Sequence, residues 1–232
     1  MARITRKELK TDKFALEIEH TVTFFEEHRR EIVRYGGAGL AVVLIALGIW
    51  FFSARQHAAR EQALAKAIEI QETPVGPAPQ GTQSYPTQDA KDQAALKAFT
   101  DLKNQYGSSA EGEIAEYYLG AITSDQGKMA DAEKSFAEVA DHGDAKYSSL
   151  AKLSLAQIYF AEGKGDKGEA LLRDLIKNPS VFVSKEQATI LLARLIGPKK
   201  PAEGRKLLDP LRNVPGSVGQ VALQVYGELP AQ

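Results

Sequence analysis

The chain has no cysteine. Disulfides, thiolate nucleophiles, cysteine-ligated metals and lipoprotein-type acylation therefore have no residue to act through. It also lacks a charge surplus: 29 Lys/Arg stand against 30 Asp/Glu, so no basic excess supports nucleic-acid binding. The four histidines, at 20, 28, 57 and 142, form no metal-spaced pair. Glu17-x-x-His20 has the spacing of a di-iron ligand pair, but no second such pair accompanies it, and it reads as a solvated helix face. A phosphate loop and a nucleophile elbow are both missing, and Glu113, Glu116 and Asp125 read as helix-surface charges. No alternating apolar and polar stretch argues for a strand. The expectation is an all-α protein with no catalytic, cofactor-binding or metal-binding residue.

What the chain does have is a run of 20 uncharged residues, Tyr35 to Ala54, between Arg34 and Arg55. At about 1.5 Å of rise per residue this helix reaches roughly 30 Å, the thickness of a bilayer's hydrocarbon core. A cleavable signal would have a shorter apolar stretch, a short basic leader and a small-x-small cleavage site. Here 34 residues precede the run, and Phe51-Phe52-Ser53-Ala54 offers no such site. The run reads as an uncleaved anchor. Tyr35 at one end and Trp50, Phe51 and Phe52 at the other suit interfacial aromatic belts.

The anchor divides the chain into 1–34 and 55–232. Lys/Arg number three within the nearest 20 residues on each side, so the local charge bias is balanced. The N-terminus is placed inside because long domains translocate largely regardless of charge, whereas a short basic segment stays in. Residues 12–33 carry an apolar stripe at Phe14, Ile18, Val22, Phe25 and Ile32, which fits either an interfacial helix or a docking helix. Gly37, Ala41 and Gly48 put small residues on one face of the span, a packing surface for another helix.

Helical spacing continues over 55–72. Residues 73–87, TPVGPAPQGTQSYPT, then hold four prolines and no charge and read as a loop acting as a spacer, with a lid as the alternative. From 88 to 232 the chain aligns with itself on a shift of 36 residues. Leu119-Gly120 meets Leu155-Ala156, Gln126-Gly127-Lys128 meets Glu162-Gly163-Lys164, Ala132 meets Gly168, and Phe136 meets Leu172. A further step reaches Gly204, Leu208 and Leu211, in a degenerate third repeat at about 183–212 distorted by Pro198, Pro201 and Pro210. Residues 88–106 repeat the second-helix pattern and pair with 56–72. The large-small step on one helix and the small residue on the next allow close crossing. Phe136 and Leu172 then fill the space toward the following repeat.

These positions resemble the tetratricopeptide repeat, although Glu116 and Lys152 stand where its Trp is usual. The resemblance implies an α-solenoid whose first helices line a concave face. Matching positions give groove candidates Tyr117, Ala121, Ser124 and Asp125 from one repeat, and Leu153, Gln157 and Phe160 from the next. They either pack between helices or hold apolar segments of other chains. Tyr117 and Leu153 stand where the family's carboxylate clamp wants Lys, so that mode is not expected. The last helix, about 217–229, is apolar on more than one face and either folds back over the Pro-rich segment or forms an oligomer contact.

The whole arrangement, with GEIAEYYLGAI at 112–122 and the repeats at 132–164, resembles the bacterial inner-membrane proteins known as ancillary Sec translocon subunits. That resemblance implies a cytoplasmic N-terminus, a periplasmic repeat domain and a non-enzymatic adaptor role. Its partners would be translocon subunits, periplasmic chaperones or exported chains. The alternative is a self-associating envelope scaffold in cell division or complex assembly.

Overall fold

The computed structural model describes residues 29–77, 79, 81 and 83–230. The N-terminal stripe from Phe14 to Phe25 and the Glu17-x-x-His20 pair lie outside the described residues. Two units meet between Ala58 and Ala59.

In the first unit a helical turn, Arg29–Glu31, and a π-helical turn, Ile32–Gly36, lead into the long helix α1, Gly37–Glu72. Its apolar part is exposed: Val43 is 53% and Trp50 67% accessible. A core helix of a water-soluble domain would be covered, so this one has the length and composition to cross a membrane.

The second unit contains the end of α1 and eight further helices among the described residues. They are α2 (Gln88–Tyr106), α3 (Ala110–Asp125), α4 (Met129–His142), α5 (Ala145–Ala161), α6 (Gly165–Lys177), α7 (Lys185–Ile196), α8 (Pro201–Leu208) and α9 (Ser217–Glu228). Each packs mainly on its chain neighbour, from α2 on α3 through to α7 on α8, the one-dimensional stacking of a solenoid. The core is accordingly a series of four buried clusters in chain order. They centre on Phe99 and Ile122, on Phe136 and Leu155, on Leu172 and Leu192, and on Leu208 and Val225.

The 36-residue period is legible in the atoms. Lys128 and Lys164 donate backbone N–H bonds to Thr123 and Tyr159 at 2.9 and 2.7 Å, and Gly127 and Gly163 to Ser124 and Phe160 at 2.9 and 3.2 Å. These bonds close the same left-handed turn, with φ +75° and +77° at the two glycines. The first helices start on side-chain caps: Ser109 accepts from Gly112 N–H, Asp144 from Lys146 and Tyr147, and Ser184 from Gln187. Helix crossing needs the small residues. A methyl on Gly168 would lie 2.8 Å from the Ala156 carbonyl oxygen, and one on Gly204 would lie 3.1 Å from that of Ala193.

Ion pairs repeat as well. Lys164 reaches Glu133 at 3.4 Å, and 36 residues on Lys200 reaches Glu169 at 3.0 Å. The Lys200 and Arg173 hydrogen bonds hold the Glu169 carboxyl below its ordinary value, against a smaller opposing effect of burial. A depressed carboxyl stabilises the fold above its unfolded value, about 4.3, and that stability is lost as the pH falls through the lower folded value. Glu169→Gln is therefore expected to lower the melting temperature at pH 7 and to flatten its fall below pH about 4. An unchanged acid limb of the melting curve contradicts this.

Three expectations are corrected. The Pro-rich segment is no spacer between span and domain. It follows residues 63–70, which already pack with Ala95 and Phe99, and it is closed at its base. Gly76 N–H donates to Tyr85 O at 2.8 Å, and Tyr85 N–H donates to Pro74 O at 2.9 Å. Helix α9 does not fold over that segment: Ala222, Val225 and Leu229 are buried against Ala193 and Leu208, so it caps the third repeat. Glu116 is not a surface charge: it is 4% exposed and paired with Lys103.

Candidate protein-binding surface

Tyr117 lies midway along α3, half-buried, with its ring centroid 5.6 Å from Phe136 below and 5.5 Å from Tyr147 on α5. Burial pushes its hydroxyl pKa up, and a hydrogen bond with Ser154 across the interhelix space partly offsets this. Tyr118 beside it stacks on Phe99 at 4.7 Å, the two planes only 4° apart. Tyr147 in turn meets Phe182 edge-on at 5.6 Å. Phe99, Tyr118, Tyr117, Tyr147 and Phe182 thus form one aromatic row across successive repeats, each neighbour pair in the range of favourable ring contacts.

The row is fixed by its supports. The Asp144 carboxylate accepts from the Tyr147 N–H at 2.9 Å, which sets the start of α5. Ser180 Oγ accepts from the N–H groups of Phe182 and Val183 at 3.1 and 3.0 Å, and lies 2.6 Å from the Ser149 hydroxyl of α5. Val183 is fully buried, so the loop is anchored there while Phe182 stays 42% exposed and Val181 86% exposed. Rigid, half-exposed aromatics with polar tips are the residues that dominate protein interfaces.

The sequence candidates divide. Tyr117 and Ala121 pack toward the Phe136–Leu155 cluster, and Leu153 and Phe160 toward the Leu172–Leu192 cluster, all partly exposed. Asp125 and Gln157 are exposed, and Ser124 lies 4.0 Å from the Met129 sulfur. Sequence reasoning missed Tyr118, Tyr147, Ser154 and Phe182. Tyr147 occupies the first turn of its helix and Phe182 lies in a loop, so neither falls on the helical period that selected the others. A count of aromatics at the starts of first helices and in the preceding loops would have found both.

Next to Tyr117 on α3, Glu116 pairs with Lys103 of α2, which also reaches Glu138 of α4 at 3.3 Å. One repeat on, Lys152 and Asp174 pair at 2.8 Å. Charged pairs between neighbouring helices thus occupy the sites where the repeat signature places Trp. No group of three or more metal-ligating side chains converges among the described residues.

A family model described as a tetratricopeptide repeat-like domain matches residues 23–186, well over half of the chain. It takes in the apolar helix and both regular repeats and ends in the first turn of α7. No curated protein and no solved structure matches the chain. Stacked helix pairs, the 36-residue turn geometry and this match agree, and the chain belongs to the tetratricopeptide repeat-like domain family, whose repeats serve protein–protein interaction.

Proposed function

We propose that the protein is a single-pass adaptor of the bacterial inner membrane, with its N-terminus cytoplasmic and its repeat domain periplasmic. Its concave side binds protein partners at the Sec translocon and links exported chains to periplasmic chaperones. Tyr117, Ala121, Ser124, Asp125, Leu153, Gln157 and Phe160 belong to the contact surface, together with Tyr147 and Phe182.

The observation that carries this reading is the partly exposed stretch of the aromatic row, Tyr118, Tyr117, Tyr147 and Phe182, on a repeat domain whose chain also has a helix able to cross a membrane. Such a helix keeps the binding surface near one membrane, where emerging chains are unfolded and display apolar side chains. The test is in-cell photo-crosslinking from positions 117 and 153. Adducts with translocon subunits, chaperones or secretory chains are expected, reduced at least about tenfold by Tyr147→Ala with Phe182→Ala, a loss of about 1.4 kcal/mol. Adducts with none of these overturn the reading.

Self-association in an envelope scaffold is the second reading. It is favoured by Val221 and Leu223 on α9, 38% and 49% exposed, and by the open face at Gly37, Ala41 and Gly48. Deleting α9 would uncover Leu208, so the informative variant is Leu223→Lys. A full-length protein that stays monomeric in mild detergent, with or without that change, removes this alternative.

A further inference from the structure

A cleft of about 930 Å³ opens between the second and third repeats, where α5 and α7 end. Its size is that of a ligand site, but its walls are those of an open groove. Phe160, Leu195, Ile196 and Pro198 supply apolar surface. The Phe160 ring lies over glycine: a methyl on Gly165 would come within 3.4 Å of it, and one on Gly168 within 2.6 Å. The two glycines therefore let the ring settle against α6.

The rim is basic. Lys164, Lys167, Lys199 and Lys200 line it, against Asp166 and Glu169. Two of these lysines are neutralised within the fold: Lys164 by Glu162 at 2.6 Å and Glu133 at 3.4 Å, and Lys200 by Glu169 at 3.0 Å. Lys167 lies over the Tyr159 ring at 5.5 Å, and neither it nor Lys199 has a carboxylate partner among the described residues. Two ammonium groups without carboxylate partners beside an apolar floor are complementary to a carboxylate next to an apolar side chain.

We propose that this cleft receives an acidic residue flanked by large apolar residues on a bound protein chain. The proposal rests on the reading that the concave side takes other protein chains, and it names the chemistry of one segment of them. A peptide rather than a fatty acid fits the site. Gln157 presents an exposed amide on the cleft wall, suited to an extended backbone, and Phe160 of the floor packs on the same buried cluster as Leu153 of the same helix. An acyl chain would need an enclosed apolar tunnel, whereas this cleft is partly open to solvent and rimmed by four lysines.

The experiment is fluorescence anisotropy on the full-length protein in uncharged detergent. The probe is a labelled nonapeptide, Ser-Gly-Leu-Glu-Phe-Glu-Leu-Gly-Ser, and its control has both Glu replaced by Lys. The acidic peptide is expected to bind at least about tenfold tighter than the basic one. Lys167→Glu with Lys199→Glu is expected to abolish or reverse that preference. Lys146→Glu, at the start of α5, leaves it intact, and the melting temperatures of all variants confirm folding. Equal binding of the two peptides, or full binding by the double variant, overturns the proposal. So does dodecanoate binding that depends on Lys167 and Lys199 when the peptide does not bind. Peptide failure with the crosslinks at 117 and 153 intact removes this inference alone; loss of the crosslinks removes the adaptor reading itself.

Discussion

Phe136→Ala is expected to cost the repeat domain about 3–5 kcal/mol, the range for truncating a fully buried aromatic side chain. Phe136 is 2% exposed and occupies the position that Leu172 and Leu208 hold in the next two repeats. Its ring fills the hollow left by Gly120, where an added methyl would lie 3.0 Å from two ring carbons, and it supports Tyr117 from below. The variant therefore loses stability and the backing of the aromatic row together. Chemical denaturation of the domain measures the first, and the crosslinking yield from position 117 measures the second. The contact with Gly120 gives an independent check. Gly120→Ala is expected to destabilise the wild type, because the ring must shift, and to be nearly neutral in a Phe136→Leu background. Additive effects in that double-mutant cycle would show that ring and glycine are not coupled. A loss below about 1 kcal/mol for Phe136→Ala would mean the second cluster collapses around the cavity, contrary to a close-packed core.

Lys103→Ala is the second large effect, expected to cost about 3 kcal/mol. That is the low end for breaking a buried pair, because the Lys103 side chain is 32% exposed while that of Glu116 is 5% exposed. Without the ammonium, the Glu116 carboxylate stays buried with Glu138 nearby and no cation between them. The cost is the stranded charge rather than the lost attraction, so Lys103→Met with Glu116→Leu is expected to recover most of it. Failure of that rescue would refute the assignment. Burial lowers the Lys103 pKa, but the bonds to Glu116 and Glu138 more than offset it and leave it raised. The stability that Lys103 adds through its own titration is therefore complete below about 10.4 and is lost as the pH climbs through its higher folded value. This Lys103 effect should appear as a weakening of the wild type in the alkaline range.

Part of the proposed contact surface was named from the sequence and part was not, for one physical reason. Tyr117, Leu153 and Phe160 lie on first helices of the 36-residue unit, so the resemblance to the tetratricopeptide repeat selects them by position. Tyr147 and Phe182 join the row through a helix start and a loop, and loops carry no period. Ser180, bonded to Ser149 and to the Phe182 backbone, and the buried Val183 bring that loop onto α5. Glu116 was misread for a related reason. Its place in the repeat frame was clear, but a charge there looks exposed until Lys103, from the preceding repeat, is seen beside it.

By itself the sequence determined the helix able to cross a membrane, the all-helical class and the repeat unit. Each follows from composition or periodicity: 20 uncharged residues, no strand alternation, and small and large residues recurring every 36. Tertiary structure alone decided that the Pro-rich segment is closed at its base by backbone hydrogen bonds and that α9 caps the third repeat. It also decided that charged pairs take the Trp sites and that five aromatics meet in one row. Those outcomes depend on which side chains from distant segments arrive at the same place, and a local pattern holds no information about that.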